Sequence, residues 1–155
     1  MLLTLARLER RKGHALVLRA ISILKNDFPD LTYIIAGEGE EKSRLKKLCK
    51  KLAIEKNVRF IGSINENQKK YIFKKTDLMV MPTIDDTHNN SIEGFGIAYL
   101  EAALFGIPSI AANVGGTAEA VIHNKTGIIL ENLKDLSIVI KDLITDKNKR
   151  QMLGK

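Results

Sequence analysis

Two glutamates, Glu93 and Glu101, bracket the stretch Glu93-Gly-Phe-Gly-Ile-Ala-Tyr-Leu-Glu101. A carboxylate accepts paired hydroxyl hydrogens, so each end suits a sugar. The glycines between them predict a helix start near Phe95 or Gly96. Gly94 and Gly96 would then expose amides, that of Ile97 included, to an anion at the positive end of the helix. Eight helical residues span ~12 Å, the reach of a ligand with hydroxyl-bearing groups on either side of a diphosphate. Read blandly, Glu93 only complements the helix dipole and Glu101 only solvates a surface. But Ala98, Leu100, Ala102, Ala103, Leu104 and Phe105 make this helix almost wholly apolar. Glu101 is therefore expected to be half-buried, and a half-buried carboxylate needs donors.

Cationic groups sit elsewhere in the chain. Arg7 offers a fork of donors matched to phosphate oxygens, and Lys12, just before Gly13, adds a point charge. In a chain of net charge +7, one basic turn by itself carries no specific meaning. Gly37-Glu-Gly39 resembles the opening of a dinucleotide fingerprint, but Lys42 stands at its third glycine position and it follows the second strand, so it reads as a tight strand-to-helix turn. Asn113-Val-Gly115-Gly116-Thr-Ala-Glu119 supplies two more glycines before a short helix, with Glu119 expected to orient that turn. Asp85 and Asp86 lack partners at metal-ligand spacing, so no metal is expected. His88 reads as a solvated loop residue, His123 as a surface one, and His14 as the opening of a helix near the proposed phosphate. Cys49 shares a helical face with Leu45, Leu48 and Leu52 and reads as a buried thiol, not a nucleophile.

The elements that must position these groups alternate. Apolar runs at Leu2–Ala6, Leu31–Ala36, Val58–Gly62, Asp77–Pro82, Ile107–Ala112 and Thr126–Leu130 are strands. Between and after them, helices are expected over Lys12–Phe28, Glu40–Ala53, Asn65–Lys75 and from Asp135 to the end, with Asn65 and Gln68 forming a capping box. Strands that are apolar throughout, alternating with amphipathic helices, predict one α/β domain: a doubly wound, Rossmann-like parallel sheet of about six strands with helices on both faces. The 155 residues suffice for one core. In such a sheet ligands bind beyond the carboxyl ends of the strands, where Arg7, Lys12, Gly37, Gly62 and Gly96 all fall.

Composition narrows the function. Hydrophobic residues make 45% and charged residues 28% of the chain, and no apolar run approaches a membrane span. The single cysteine and the absence of a signal-peptide pattern favour a cytoplasmic setting. The positive balance suggests an anionic partner. Aromatics make 5% with no tryptophan, which argues against a stacking platform for nucleic acid, and two glutamates in the crevice would repel a polyanion.

The stretch Glu93 to Glu101, continued by Ala102, Gly106 and Pro108, resembles the E-x7-E signature of family-4 retaining glycosyltransferases of the GT-B architecture. Ala6-Arg7-Leu8 with Lys12-Gly13, Gly37-Glu-Gly39, Val58 to Gly62, Asp77 to Pro82, Gly115-Gly116 with Glu119, and Thr126-Gly127 follow in the family's order. Thr83 stands where a serine is usual, Ala118 where a proline is, and Ala6 where a glycine is. The resemblance implies that residues 1–155 are the C-terminal, donor-binding half of such an enzyme, without its N-terminal acceptor domain and returning helix. Arg7 and Lys12 would clamp the donor diphosphate. Glu93 would face the transferred sugar, and Gly94, Phe95, Gly96 and Ile97 would meet phosphate and sugar. Glu101 would hold the ribose hydroxyls, and Gly37, Ile61 and Gly62 would border the donor, the base end included. The reaction it implies is transfer of a hexose-type sugar from a UDP, GDP or ADP sugar with retention and without metal or cofactor, slight in the isolated half. Peripheral membrane contact of the full enzyme through basic helices is a further expectation. The competing reading is a non-catalytic binding module whose basic surface meets anionic lipid or protein.

Overall fold

The apolar runs form six short strands, β1 (Leu2–Leu5), β2 (Tyr33–Ala36), β3 (Val58–Gly62), β4 (Leu78–Met81), β5 (Ser109–Ala112) and β6 (Gly127–Leu130). The computed structural model of the chain describes residues 1–84 and 96–154. Within them lie α1 (His14–Leu24), α2 (Lys42–Lys51), α3 (Glu66–Phe73), α4 (Ile97–Leu104), α5 (Thr117–Ala120), α6 (Leu136–Thr145) and α7 (Lys147–Leu153). The sheet runs β3-β2-β1-β4-β5-β6, and every neighbouring pair is parallel. Strand order reverses between β1 and β4, which makes their carboxyl ends the switch point of a doubly wound Rossmann-like domain.

Side-chain alternation along the strands divides the core in two. Leu2, Ile35, Leu78, Val80 and Ile110 pack on one face against Leu18 and Ile21 of α1, Leu45 and Cys49 of α2, Ile140 and Leu143 of α6 and Leu153 of α7. Leu3, Ala36, Met79, Met81 and Ala111 pack on the other against Phe73 of α3, Tyr99 and Ala102 of α4 and Ala120 of α5. The central strands are buried on both sides, hence their uninterrupted apolar character.

Helix ends depart from the sequence reading. α1 stops at Leu24, not Phe28, because Asn26 and Asp27 are weak helix formers and Pro29 excludes helical geometry just before it. A separate 3-10 turn, Arg10–Lys12, precedes it. α2 is shorter than the charged stretch that suggested it. The C-terminal helix is two: Asp146 leaves the helical conformation and caps α7, accepting from the Lys149 N–H at 2.8 Å. The capping box forms as expected, with the Asn65 side chain accepting from the Gln68 N–H at 3.0 Å and the Gln68 side chain from the Asn65 N–H at 2.9 Å.

Candidate functional site

The chain leaving β1 is locked to the chain leaving β4. Gly13 lies in the left-handed region at φ 74°, and a Cβ there would stand 2.1 Å from the Pro82 carbonyl oxygen, so only glycine permits the approach. The Ile84 N–H donates to the Arg11 carbonyl at 2.7 Å. On the other side of β1, the Leu8 N–H donates to the Glu38 carbonyl at 3.0 Å, and the Gly37 N–H to the Gly62 carbonyl at 2.8 Å. A hollow of about 240 Å³ remains at these strand ends, lined by Leu5, Ala6, Ala36, Gly37, Ser63 and Ile64.

Cations gather at the β1 exit. The Arg7 side chain is 81% exposed and pairs with Glu9 at 3.2 Å. Glu9 also accepts from the Arg11 Nε at 2.9 Å, so one carboxylate orients two guanidinium groups. Lys12 is half-buried in the same turn. Opposite stands the start of α4. Gly96 is its N-cap at φ 69°, ψ 57°, and as a glycine it brings no side chain to the first-turn amides. A Cβ at Gly96 would lie 2.6 Å from the Tyr99 ring. The Tyr99 hydroxyl donates to the Met81 carbonyl at 2.6 Å, which pins α4 to the end of β4. Ile97, the first residue of α4, is exposed, and its amide is among those that a helix leaves unsatisfied.

Glu101 lies one turn further into α4 with 29% of its side chain exposed, the half-burial expected of it. Its donor is Lys69 of α3, whose Nζ stands 2.5 Å from Glu101 Oε1 and 2.9 Å from Glu66 Oε1. The two carboxylates hold the Lys69 ammonium above the ordinary lysine range, Glu101 contributing most. The helices meet again where the Phe73 and Phe105 rings pack 5.1 Å apart.

Arg7, Lys12, Gly37, Gly62 and the Gly96–Ile97 amide end therefore share one rim of the sheet, and Glu101 faces the helix that follows β3. Ile61 lines a groove with Ile64, Asn67, Gln68, Tyr71 and Ile72, and this groove adjoins the hollow beside Gly37 through Ile64. Glu93, Gly94, Phe95, Asp85, Asp86 and His88 lie outside the described residues. His14 opens α1 but is buried, 1% exposed, so it packs beneath the rim and does not face a ligand. His123 is exposed and its Nδ1 accepts from the Ile129 N–H at 3.0 Å. Glu119 is exposed and caps nothing; the Asn113–Thr117 turn is tied by Thr117, whose hydroxyl donates to the Ala112 carbonyl at 2.5 Å. Cys49 is buried, and burial pushes its thiol up to about 11. Among the described residues, no three His, Cys, Asp or Glu side chains form a group that would hold a metal ion. Nor is any helix there long and apolar enough to cross a membrane.

Sequence reading missed Glu9, Lys69 and Thr117. Glu9, two residues from both Arg7 and Arg11, was visible as an orienting acid. Nothing local marks Lys69 as the partner of Glu101, since the pair joins elements 32 residues apart.

Comparison with known proteins sets this rim in context. A family model described as "Glycosyl transferases group 1" matches residues 1–155. A GDP-mannose-dependent alpha-(1-6)-phosphatidylinositol monomannoside mannosyltransferase of Mycolicibacterium smegmatis is 29% identical over 152 residues, which is 97% of this chain and 40% of that protein. A glycogen synthase of Mycobacterium tuberculosis is 30% identical over 147 residues, 94% of this chain and 34% of its own length. The chain thus spans well under half the length of these curated relatives. Among solved structures, Anabaena HepE in complex with UDP-glucose superposes with a TM-score of 0.83 at 25% identity, covering 99% of this chain and 41% of that one. The C-terminal domain of a glycosyl transferase group 1 family protein from Francisella tularensis gives 0.84 at 22% identity, covering 99% of this chain and 80% of that chain, a likeness of fold.

Proposed function

The chain belongs to the group 1 glycosyl transferases, and from that premise we propose that it is the donor-binding half of a family-4 retaining enzyme. It takes a nucleotide diphosphate sugar, and the whole protein transfers a hexose-type sugar to an acceptor without a metal ion. Arg7 and Lys12 meet the diphosphate from one side of the crevice, and the Gly96 and Ile97 amides from the other. Glu93 faces the sugar that moves. Glu101 accepts from the ribose hydroxyls, and the hollow beside Gly37, Ser63 and Ile64 borders the base. Catalysis then rests largely on fixed positive groups that stabilise the departing diphosphate in a water-poor crevice. The acceptor and the second wall of that crevice belong to the remainder of the protein.

The observation that carries this reading is the pair of turns at the switch point: a basic turn locked to β4 through Gly13 and Ile84, and a glycine-capped helix start pinned to the same strand through Tyr99. In support, a HepE structure at 25% identity is described with UDP-glucose, and the mycobacterial relative is named GDP-mannose-dependent.

The test is calorimetric titration of this chain with UDP, GDP and ADP. One of them is expected to bind, and Arg7→Ala and Lys12→Ala should each weaken it roughly ten- to a hundredfold, the range for a hydrogen bond between charged groups. No binding by any of the three to folded protein would overturn the proposal.

A further inference from the structure

We infer that Lys69 is a positioning residue: by holding one oxygen of Glu101, it sets the carboxylate so that the other oxygen is presented to the ligand's vicinal hydroxyls. The inference rests on the donor reading above and adds to it a residue of α3.

The geometry is asymmetric. Lys69 Nζ meets Glu101 Oε1 at 2.5 Å, and among the described residues no other donor reaches that carboxylate. Oε2 is left with both lone pairs available. A free glutamate at this position would spread over several rotamers, and ordering it on binding would subtract from affinity. Lys69 is itself restrained: its side chain is 17% exposed and Glu66, one turn earlier on α3, holds it at 2.9 Å. Glu66 thereby fixes the lysine and Lys69 fixes Glu101, so a chain of three charges carries the placement of α3 across to α4. The other possible role is an ordinary surface ion pair, which would contribute little to stability and nothing to recognition. The half-burial of both partners and the Glu66 brace separate Lys69 from that case.

A ligand pair that differs only in its hydroxyls tests this. UDP, GDP and ADP and their 2′,3′-dideoxy forms are titrated against the wild-type chain, Lys69→Met, Lys69→Arg and Glu101→Gln, with melting temperature recorded for each. The wild type should prefer the ribo form. Lys69→Met should lose roughly three- to tenfold in affinity for the ribo form and nothing for the dideoxy form, the loss expected when one flexible side chain must be ordered afresh. Lys69→Arg should recover most of that loss, and Glu101→Gln should erase the preference. Equal loss for both ligands would reduce Lys69 to a structural role. Unchanged or tighter ribo binding in Lys69→Met would also overturn the inference, the latter by making Lys69 a competitor for Glu101. A wild type that binds but ignores the hydroxyls would remove the ribose role of Glu101, and one that binds no nucleotide would remove the donor reading itself; either result overturns this inference too.

Discussion

At the scale of single residues, the site separates groups that face the crevice from groups that merely sit near it in sequence. Arg7 projects into solvent under the control of Glu9. His14, only two positions after Lys12, turns inward and is buried, and burial lowers its pKa to about 4 against an ordinary 6.5, with the Glu9 backbone opposing and the Lys12 charge reinforcing the shift. The stability consequence has a definite sign. Between pH 6.5 and pH 4 the unfolded chain binds a proton at His14 that the folded chain refuses. Stability from this residue is therefore complete above pH 6.5 and falls as the pH drops through that window, by about 3 kcal/mol in all. Urea unfolding at pH 7 and pH 4 should show that loss in the wild type and a shallower one in His14→Leu. An equal acid loss in both would place the sensitivity elsewhere.

Secondary elements show how local chemistry sets the site's frame. α3 carries an unbroken capping box at its start and Lys69 one turn inside it. Asn65→Ala should destabilise the chain by about 1 kcal/mol, measured by urea unfolding. Because fraying there loosens the Lys69 turn, the ribo preference of a bound nucleotide should fall with it. The β1–α1 turn is less tolerant. At Gly13 a methyl group meets both an unfavourable φ and the Pro82 backbone, so Gly13→Ala must separate the exits of β1 and β4. The expected result is a loss of several kcal/mol in stability together with loss of nucleotide binding, read by the same titration. Wild-type affinity in Gly13→Ala would show that the locked exits do not shape the site.

For the whole molecule, the doubly wound sheet explains why the turns that carry Arg7, Lys12, Gly37, Gly62 and Gly96 lie along one edge. Parallel strands deliver every βα turn to the same rim, and the reversal of order between β1 and β4 opens the crevice there. A ligand bound across those exits holds the two halves of the sheet together and stabilises only the folded state. At a hundredfold excess over its dissociation constant the nucleotide should contribute about 2.7 kcal/mol, visible as a rise of a few degrees in melting temperature. Arg7→Ala should shrink that rise without altering the ligand-free melting point, since its exposed side chain supports little of the core. A non-catalytic module that uses its basic surface alone would show the rise with any polyanion and none specific to a nucleotide.

Much of this was legible in the chain itself. Apolar runs of strand length alternating with amphipathic helices determined the parallel sheet and its two covered faces, because burial on both sides leaves no room for polar alternation. Gly96 as the start of α4, the half-burial of Glu101, the capping box at Asn65 and the buried Cys49 follow from local rules of helix chemistry. What the sequence did not determine is whatever depends on contacts between distant segments. The inward turn of His14 and the Lys69–Glu101 pair were decided only by tertiary structure. The physical reason is one of range: periodicity and capping act within a few residues, whereas a side chain's partner across helices is fixed only once the sheet has set where those helices lie.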